Sequence, residues 1–414
     1  MPSIRKGLLQ LVFSGSFMKR WNDKMRPMEL QEVDKQAHKM IAAWILYQLN
    51  GKGGDAGENA AMGTEIIEGG IFEYFYRLII TDIKPPVFYR IKSNPSHYQQ
   101  LTGWVLEQLQ PRVQTMGTPF WERLTNYFSH PDESRPARQI LEAAHLIASK
   151  WEFHLIKDLN PWDEEMEEIE ANFQQDLARF GHLRGVAELN QGPEHPLGRF
   201  LTLCGQLRFQ KRWSQTPRIP ETSVLGHMFI VACYAYFLSL TVKASPQRSQ
   251  NDFFAGLFHD LPEMLTRDII SPVKRSVQHI SDLIKEYEDQ ETRTKVYDLL
   301  EQGGYPEISS RLGYYLGVEV GSEFATTIVR EGRVVAVSWE EMQSTYNRDE
   351  FDPKDGYLLK ICDSLAAFIE AYTAMRNGIT SDHLQQAVWR IRSEYGQLTS
   401  EHGLHIGSLL ADFD

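Results

Sequence analysis

The chain has 414 residues, of which 42 % are hydrophobic and 24 % charged, with a net charge of −12 at neutral pH. That length allows one to three domains with large cores, and the composition is that of an ordinary globular protein. The acidic balance argues against a general nucleic-acid or membrane-surface binder, which needs a basic face, but leaves room for a small anion in a cleft dominated by a metal and a few local cations.

Taken in chain order, apolar positions at three- and four-residue spacing predict helices over 36–49, 139–156, 164–180, 223–240, 279–300, 356–375 and 382–395. The one strand pair expected lies around 332–337, where Val334, Val335 and Val337 cluster. The fold class is therefore all-α. Cys204, Cys233 and Cys362 are far apart and lack CxxC spacing, as expected of reduced core residues in a cytoplasmic protein. The run Leu8–Phe13 is too short for a signal h-region, and no apolar run is read as a membrane span.

The two halves echo each other. At a separation of 192, Leu9, Leu11, Phe17, Lys19, Arg20 and Trp21 fall on Leu201, Leu203, Phe209, Lys211, Arg212 and Trp213. At 189, His38 falls on His227, each opening an apolar helix. At 186, Gly70, Phe72, Asp82, Ile83, Pro86 and Val87 fall on Gly256, Phe258, Asp268, Ile269, Pro272 and Val273. The frame of Leu141–His145 matches that of Leu359–Asp363. An internal duplication follows, with units at 1–190 and 197–414, a turn-rich boundary at Gln191–Pro196, and an insertion in the second unit between about 289 and 345.

In the second unit an adjacent pair, His259-Asp260, ends an apolar run, and a helix continuing from 251 to 265 would place Glu263 on the same face. Asp268 follows, and Pro272 closes the segment. His227 and Asp363 stand in other apolar helices. Burying such charges without compensation costs several kcal/mol each, and a bound cation is the simplest compensation. The mixed imidazole and carboxylate set His227, His259, Asp260 and Asp363 suits one divalent ion such as Mn²⁺, Co²⁺, Fe²⁺, Ni²⁺ or Zn²⁺.

The order His227, His259-Asp260, Asp363 resembles the HD superfamily of metal-dependent phosphohydrolases. The stretch from His259 to Lys274 fits the pattern HD-x-x-E-x-L-T-x-D-x-x-x-PVK, and Arg212-Trp213 precede the first histidine. This resembles the bacterial 5′-deoxynucleotidase branch, over about residues 197–400. The resemblance implies a pair of HD-type helical bundles. It also implies a metal-dependent phosphomonoesterase acting on nucleoside 5′-monophosphates, above all deoxyribonucleotides. His227, His259, Asp260 and Asp363 would bind one metal, and Glu263 would handle the proton, with Asp260 sharing the catalytic centre. Arg212 would hold the phosphate and Trp213 the sugar side. Asp268, with Thr266 nearby, would accept from the sugar hydroxyl, and Lys274 would offer a second cation. The partner expected is a small phosphorylated molecule rather than a nucleic-acid polymer or a membrane; a homodimer stays open. The alternatives are an HD hydrolase of another phosphorylated small molecule, such as a triphosphate or diester, and a nucleotide-sensing protein with a structural metal.

Two departures stand out. The family usually has an acid just before the first histidine, where this chain has Gly226, and the insertion with Glu340-Glu341 and 349–352 has no counterpart; it reads as a lid or a solvated acidic surface. The first unit has lost the set: Glu73-Tyr74 replace the His-Asp pair, Arg77 replaces Glu263 and His145 replaces Asp363, while His38, Asp82 and Arg20-Trp21 remain. It reads as a degenerate copy kept for packing or regulation. His38, Glu73 and His145 could instead assemble a different site, and Arg20 could hold a nucleotide effector.

Overall fold

Three helices of the second half begin at a signal that the sequence carries. Ser223 caps the helix Val224–Thr241 by accepting from Gly226 N at 2.9 Å, and Asp355 caps Gly356–Arg376 by accepting from Leu358 N at 3.0 Å. Pro246 opens Pro246–Phe258 at a position where its missing N–H costs nothing. The computed structural model describes residues 3–51, 56–266, 278–398 and 404–414. Among these the fold is all-α, with two short antiparallel strand pairs.

Val224–Thr241 is buried along nearly its whole length and packs on Pro246–Phe258, on Gly356–Arg376 and on the first-half helix Glu32–Asn50. Glu32–Asn50 in turn packs on Ala56–Ile80 and Pro136–Ile156. The two triplets meet in one continuous core: Trp44 lies edge-on to Phe258 at 4.7 Å between centroids, Tyr74 to Phe229 at 5.1 Å, and Phe75 stacks with Phe237 at 6.3 Å. By length and composition Val224–Thr241 could cross a membrane, contrary to the expectation that no run would; 89 % of it is buried inside the protein.

Gly256 sets how closely two of these helices approach. A Cβ there would stand 2.9 Å from Ala232 Cα and 3.0 Å from Ala232 N, so only glycine lets Pro246–Phe258 lie against Val224–Thr241 at this point.

The helix expected through 265 stops at Phe258. Turns carry 259–262, and a short new helix, Glu263–Thr266, begins beyond Pro262. Proline has no N–H to continue the ladder and its ring clashes with the preceding turn. The expected strand pair is a hairpin, Thr327–Arg330 with Arg333–Ala336, turned by Glu331 and Gly332 at φ 52° and 74°. Three acids of this stretch serve structure. Asp349 accepts from Gln247 N at 2.9 Å, Asp352 pairs with Arg311, and Glu341 completes a capping box with Ser338. Asp355 pairs with fully buried Arg248, fixing the start of the helix that carries Asp363.

Candidate metal centre

Four side chains from three elements converge. His227 lies in the first turn of Val224–Thr241, Asp363 in the second turn of Gly356–Arg376, and His259 and Asp260 in the turn that Pro262 enforces. His227 Nε2 is 3.2 Å from Asp363 Oδ1 and 3.7 Å from Asp260 Oδ2. His259 Nε2 is 3.2 Å from Asp260 Oδ2. Ligand atoms of His227, His259 and Asp363 all lie within 4.8 Å of one another. The imidazoles are buried while the carboxylates reach solvent, Asp260 at 19 % and Asp363 at 20 % side-chain exposure. The centre therefore opens on its acidic side.

The tautomer of His259 is set by the backbone. Its Nδ1 is 2.8 Å from Gly256 O, so that nitrogen donates. Nε2 is buried, makes no hydrogen bond, and faces Asp260. A neutral ring would point a lone pair at a carboxylate, which is repulsive unless a cation stands between them. Burial disfavours the imidazolium, but Asp260 and Asp363 overcome it and raise the His259 pKa to about 9. Burial likewise opposes ionisation of Asp260, yet His259, His227 and Arg212 hold its pKa well below the usual range. Asp363 is also held low against burial, by His227 and by Lys360, whose Nζ is 2.9 Å from Oδ2. The set thus calls for positive charge at its middle, and its donor chemistry, two imidazoles and two carboxylates at 3.2 to 3.7 Å, fits one divalent cation.

Residues 204–392 match the family model for the HD domain. No curated protein and no solved structure matches the chain. The matched residues include all four converging side chains together with Arg212, Trp213 and Glu263. HD domains are in general metal-dependent hydrolases that bind divalent ions.

Around the four converging residues the structure adds partners that no motif in the sequence marks. Glu370 is fully buried two turns beyond Asp363 and accepts from Trp213 Nε1 at 2.8 Å, Thr222 Oγ1 at 2.8 Å and Arg212 Nε at 3.4 Å. Its Oε1 faces His227 Nδ1 at 3.6 Å. A lone glutamate between Ile369 and Ala371 in a buried helix was the available signal. Lys360 lies one turn before Asp363 and over the ring of Phe324, which itself stands 6.1 Å from His259. Arg212 Nη1 is 3.2 Å from Asp260 Oδ2, so the arginine expected to hold phosphate borders the converging set. Trp213 takes a left-handed backbone, φ 56°, that turns its indole back to Glu370. Glu263 opens its short helix with its amide 3.1 Å from Asp260 O. Asp268, Lys274 and the side chain of Thr266 lie outside the described residues.

Gly226, where an acid was expected, has a packing cause. A Cβ there would meet Asp34 Oδ1 at 2.6 Å and Val33 Cγ1 at 2.8 Å. Asp34 comes from the first half and accepts from Ser223 Oγ at 2.6 Å, so a carboxylate does stand beside this turn, supplied by the other half.

The first half repeats the frame of the centre. Lys19 pairs with Gln31 as Lys211 does with Ser223, and Trp21 shares the φ of 56° found at Trp213. Arg20 Nε and Trp21 Nε1 both reach Glu152 Oε2, at 2.8 and 3.1 Å, as Arg212 and Trp213 reach Glu370. This frame runs at a constant separation of 192 through the helix start, so Lys35, not His38, takes the place of His227. The sequence pairing slipped by one turn because both residues sit in similar apolar runs. His38 faces away, its Nε2 2.9 Å from Leu201 O and its ring 5.0 Å from that of Trp151. It assembles no site with Glu73 and His145. Lys35 Nζ instead meets His145 Nδ1, and Lys39 pairs with Glu73.

Proposed function

We propose that the chain is a metal-dependent phosphomonoesterase acting on nucleoside 5′-monophosphates, deoxyribonucleotides above all. We read its first half as a degenerate copy of the second, and its three buried, unbridged cysteines fit a cytoplasmic setting. The observation that carries the reading is His259. With Nδ1 committed to Gly256 O, its buried Nε2 is left facing Asp260 and the cluster of His227 and Asp363.

In this reading His227, His259, Asp260 and Asp363 hold one divalent ion, which when bound polarises the phosphoryl group and lowers the pKa of water. Arg212, with its guanidinium beside Asp260, takes the phosphate by a bidentate grip. Glu370 holds that guanidinium and the Trp213 indole in place, so that phosphate and sugar sides of the pocket share one anchor. Glu263, one short turn past the ligand pair, moves the proton between water and leaving group. Asp268, with Thr266 nearby, accepts from the sugar hydroxyl, and Lys274 adds a cation near the phosphate.

The test is phosphate release from a panel of ribo- and deoxyribonucleoside monophosphates with added Mn²⁺ or Co²⁺, with and without chelator. Release should require the metal and fall by about 10²–10⁴-fold in Glu263→Ala, the range of general acid–base catalysis. No release from any nucleotide under these conditions would sink the reading.

A further inference from the structure

The first-half centre keeps the grip of the second and exchanges its metal donors for bases. Arg20 and Trp21 are held on buried Glu152 as Arg212 and Trp213 are on Glu370. Where the second centre has His227, the first has Lys35 against His145 Nδ1; where the second has His259, the first has Glu73, bound by Lys39 and by Tyr127 Oη at 2.6 Å. Arg77 lies at the position of Glu263, with Nε 3.6 Å from Glu32 and Nη2 3.6 Å from Asp82.

The charged groups differ between the two. In the second centre Asp260, Glu263, Asp363 and Glu370 outweigh Arg212, Arg218 and Lys360, which calls for a cation. In the first, Arg20, Lys35, Lys39, Arg77 and Arg208 face Glu32, Asp34, Glu73, Asp82 and Glu152. Bases and acids are equal in number, so what this centre keeps is the phosphate grip of Arg20 with partly exposed Arg77, and no acid stands free to hold a cation's place at Lys35. Both centres reach solvent to a similar degree: Arg20 is 12 % exposed where Arg212 is 13 %, and Arg77 and Glu73 are 22 % and 36 % exposed. Burial, with Arg20 and Lys39 nearby, pushes the Lys35 ammonium well below its ordinary range, though Glu32 opposes the shift. An incoming dianion would restore the charge of Lys35.

We propose that the first-half centre binds the phosphate group of a phosphomonoester without hydrolysing it, through Arg20, Lys35, Lys39 and Arg77. The assignment of the phosphate to Arg20 rests on the role given above to Arg212. The absence of hydrolysis follows from Arg77 standing where a proton-handling acid would be, and from lysine and glutamate standing where the histidines would be. Bound there, the ester acts as an effector held against the same core that carries the second centre.

The experiment is equilibrium dialysis of the full chain in excess chelator, which removes metal-assisted binding at the second centre. The probes are inorganic phosphate and 2′-deoxyadenosine 5′-monophosphate. Either should bind the wild type, and about ten-fold more weakly in Lys35→Met and in Arg77→Gln, as expected for one charge-assisted hydrogen bond lost. Lys35→Met keeps the side-chain volume, and if it fails to fold the partly exposed Arg77→Gln decides. Two results overturn the proposal. One is binding of neither probe to the wild type. The other is binding that Arg212→Gln abolishes and the first-half variants leave intact. Metal-dependent phosphate release is measured separately and reports on the second centre alone, so either reading can fail without the other.

Discussion

Replacing Glu370 by glutamine tests whether one buried carboxylate anchors both the metal turn and the phosphate grip. The substitution keeps the shape and removes the charge that Trp213 Nε1, Thr222 Oγ1 and Arg212 Nε share, and it leaves His227 Nδ1 without its facing acid. Hydrogen bonds to a charged group contribute about 1.5–3 kcal/mol each against about 0.5–1.5 for neutral ones, so three weakened bonds cost about 3 kcal/mol. That matches the low end of about 3–5 kcal/mol for breaking a buried ion pair. Loss of the carboxylate that faces the outer nitrogen of a metal-bound histidine typically costs about 10–100-fold in metal affinity. Glu370→Gln should therefore lower both the melting temperature and the affinity for Mn²⁺, read by calorimetric titration on protein whose fold is checked by circular dichroism. Glu152→Gln is the control. It breaks the same frame in the first half, so it should lower the melting temperature and leave metal affinity unchanged. Metal affinity in Glu370→Gln within about two-fold of wild type would refute the reasoning, as would an equal loss in Glu152→Gln.

Other expectations follow from the same contacts. His259 has a folded-state pKa of about 9, raised from 6.5, so the metal-free protein keeps this contribution below pH 6.5 and loses it as the pH rises through 9. Added metal should reverse the trend with release of protons, and metal-free protein that gains stability between pH 6.5 and 9 would contradict it. Gly256→Ala sets a Cβ 2.9 Å from Ala232 Cα and should cost about 1–3 kcal/mol in urea denaturation; an unchanged midpoint would show that the helices can separate freely. Residues 197–414 produced alone would uncover Phe229, Phe237 and Phe258, about 1.5–3 kcal/mol each, a sum comparable to the whole stability of a typical domain. That fragment should bind a hydrophobic dye and lack near-ultraviolet dichroism, and a cooperative melt at the full chain's temperature would count against a shared core.

The long helices were legible because their apolar spacing is strong. Periodicity carries no handle on where proline cuts a helix, so the stretch through His259 read as continuous although Pro262 was in view. The convergence of His227, His259, Asp260 and Asp363 was legible because buried charges in apolar helices are few and need partners. Glu370 was passed over because its role lies behind the site, toward Arg212 and Trp213, where no spacing rule points. The pairing of His38 with His227 failed for a related reason. Matching by residue type favoured histidine with histidine, whereas the strand pairs that open both helices fix a constant separation and bring Lys35 into place.

The first half also shapes the second directly. Asp34 accepts from the hydroxyl of Ser223, the residue that caps the helix carrying His227, and Gln31 Nε2 donates to Glu221 O at 2.9 Å just upstream. The turn that aims His227 is thus fixed from one side by Glu370 and from the other by the first half. This placement is not free. Burial raises Asp34 to about 6, and Arg208 and the Ser223 hydroxyl offset only part of that shift. A charged Asp34 at neutral pH therefore costs stability at a position where Gly226, having no Cβ, leaves room for it. Local conflict of this kind is expected where the chain holds geometry for chemistry rather than for packing. It accounts for how the first half can lack a full ligand set of its own and still determine how the second half's set is presented.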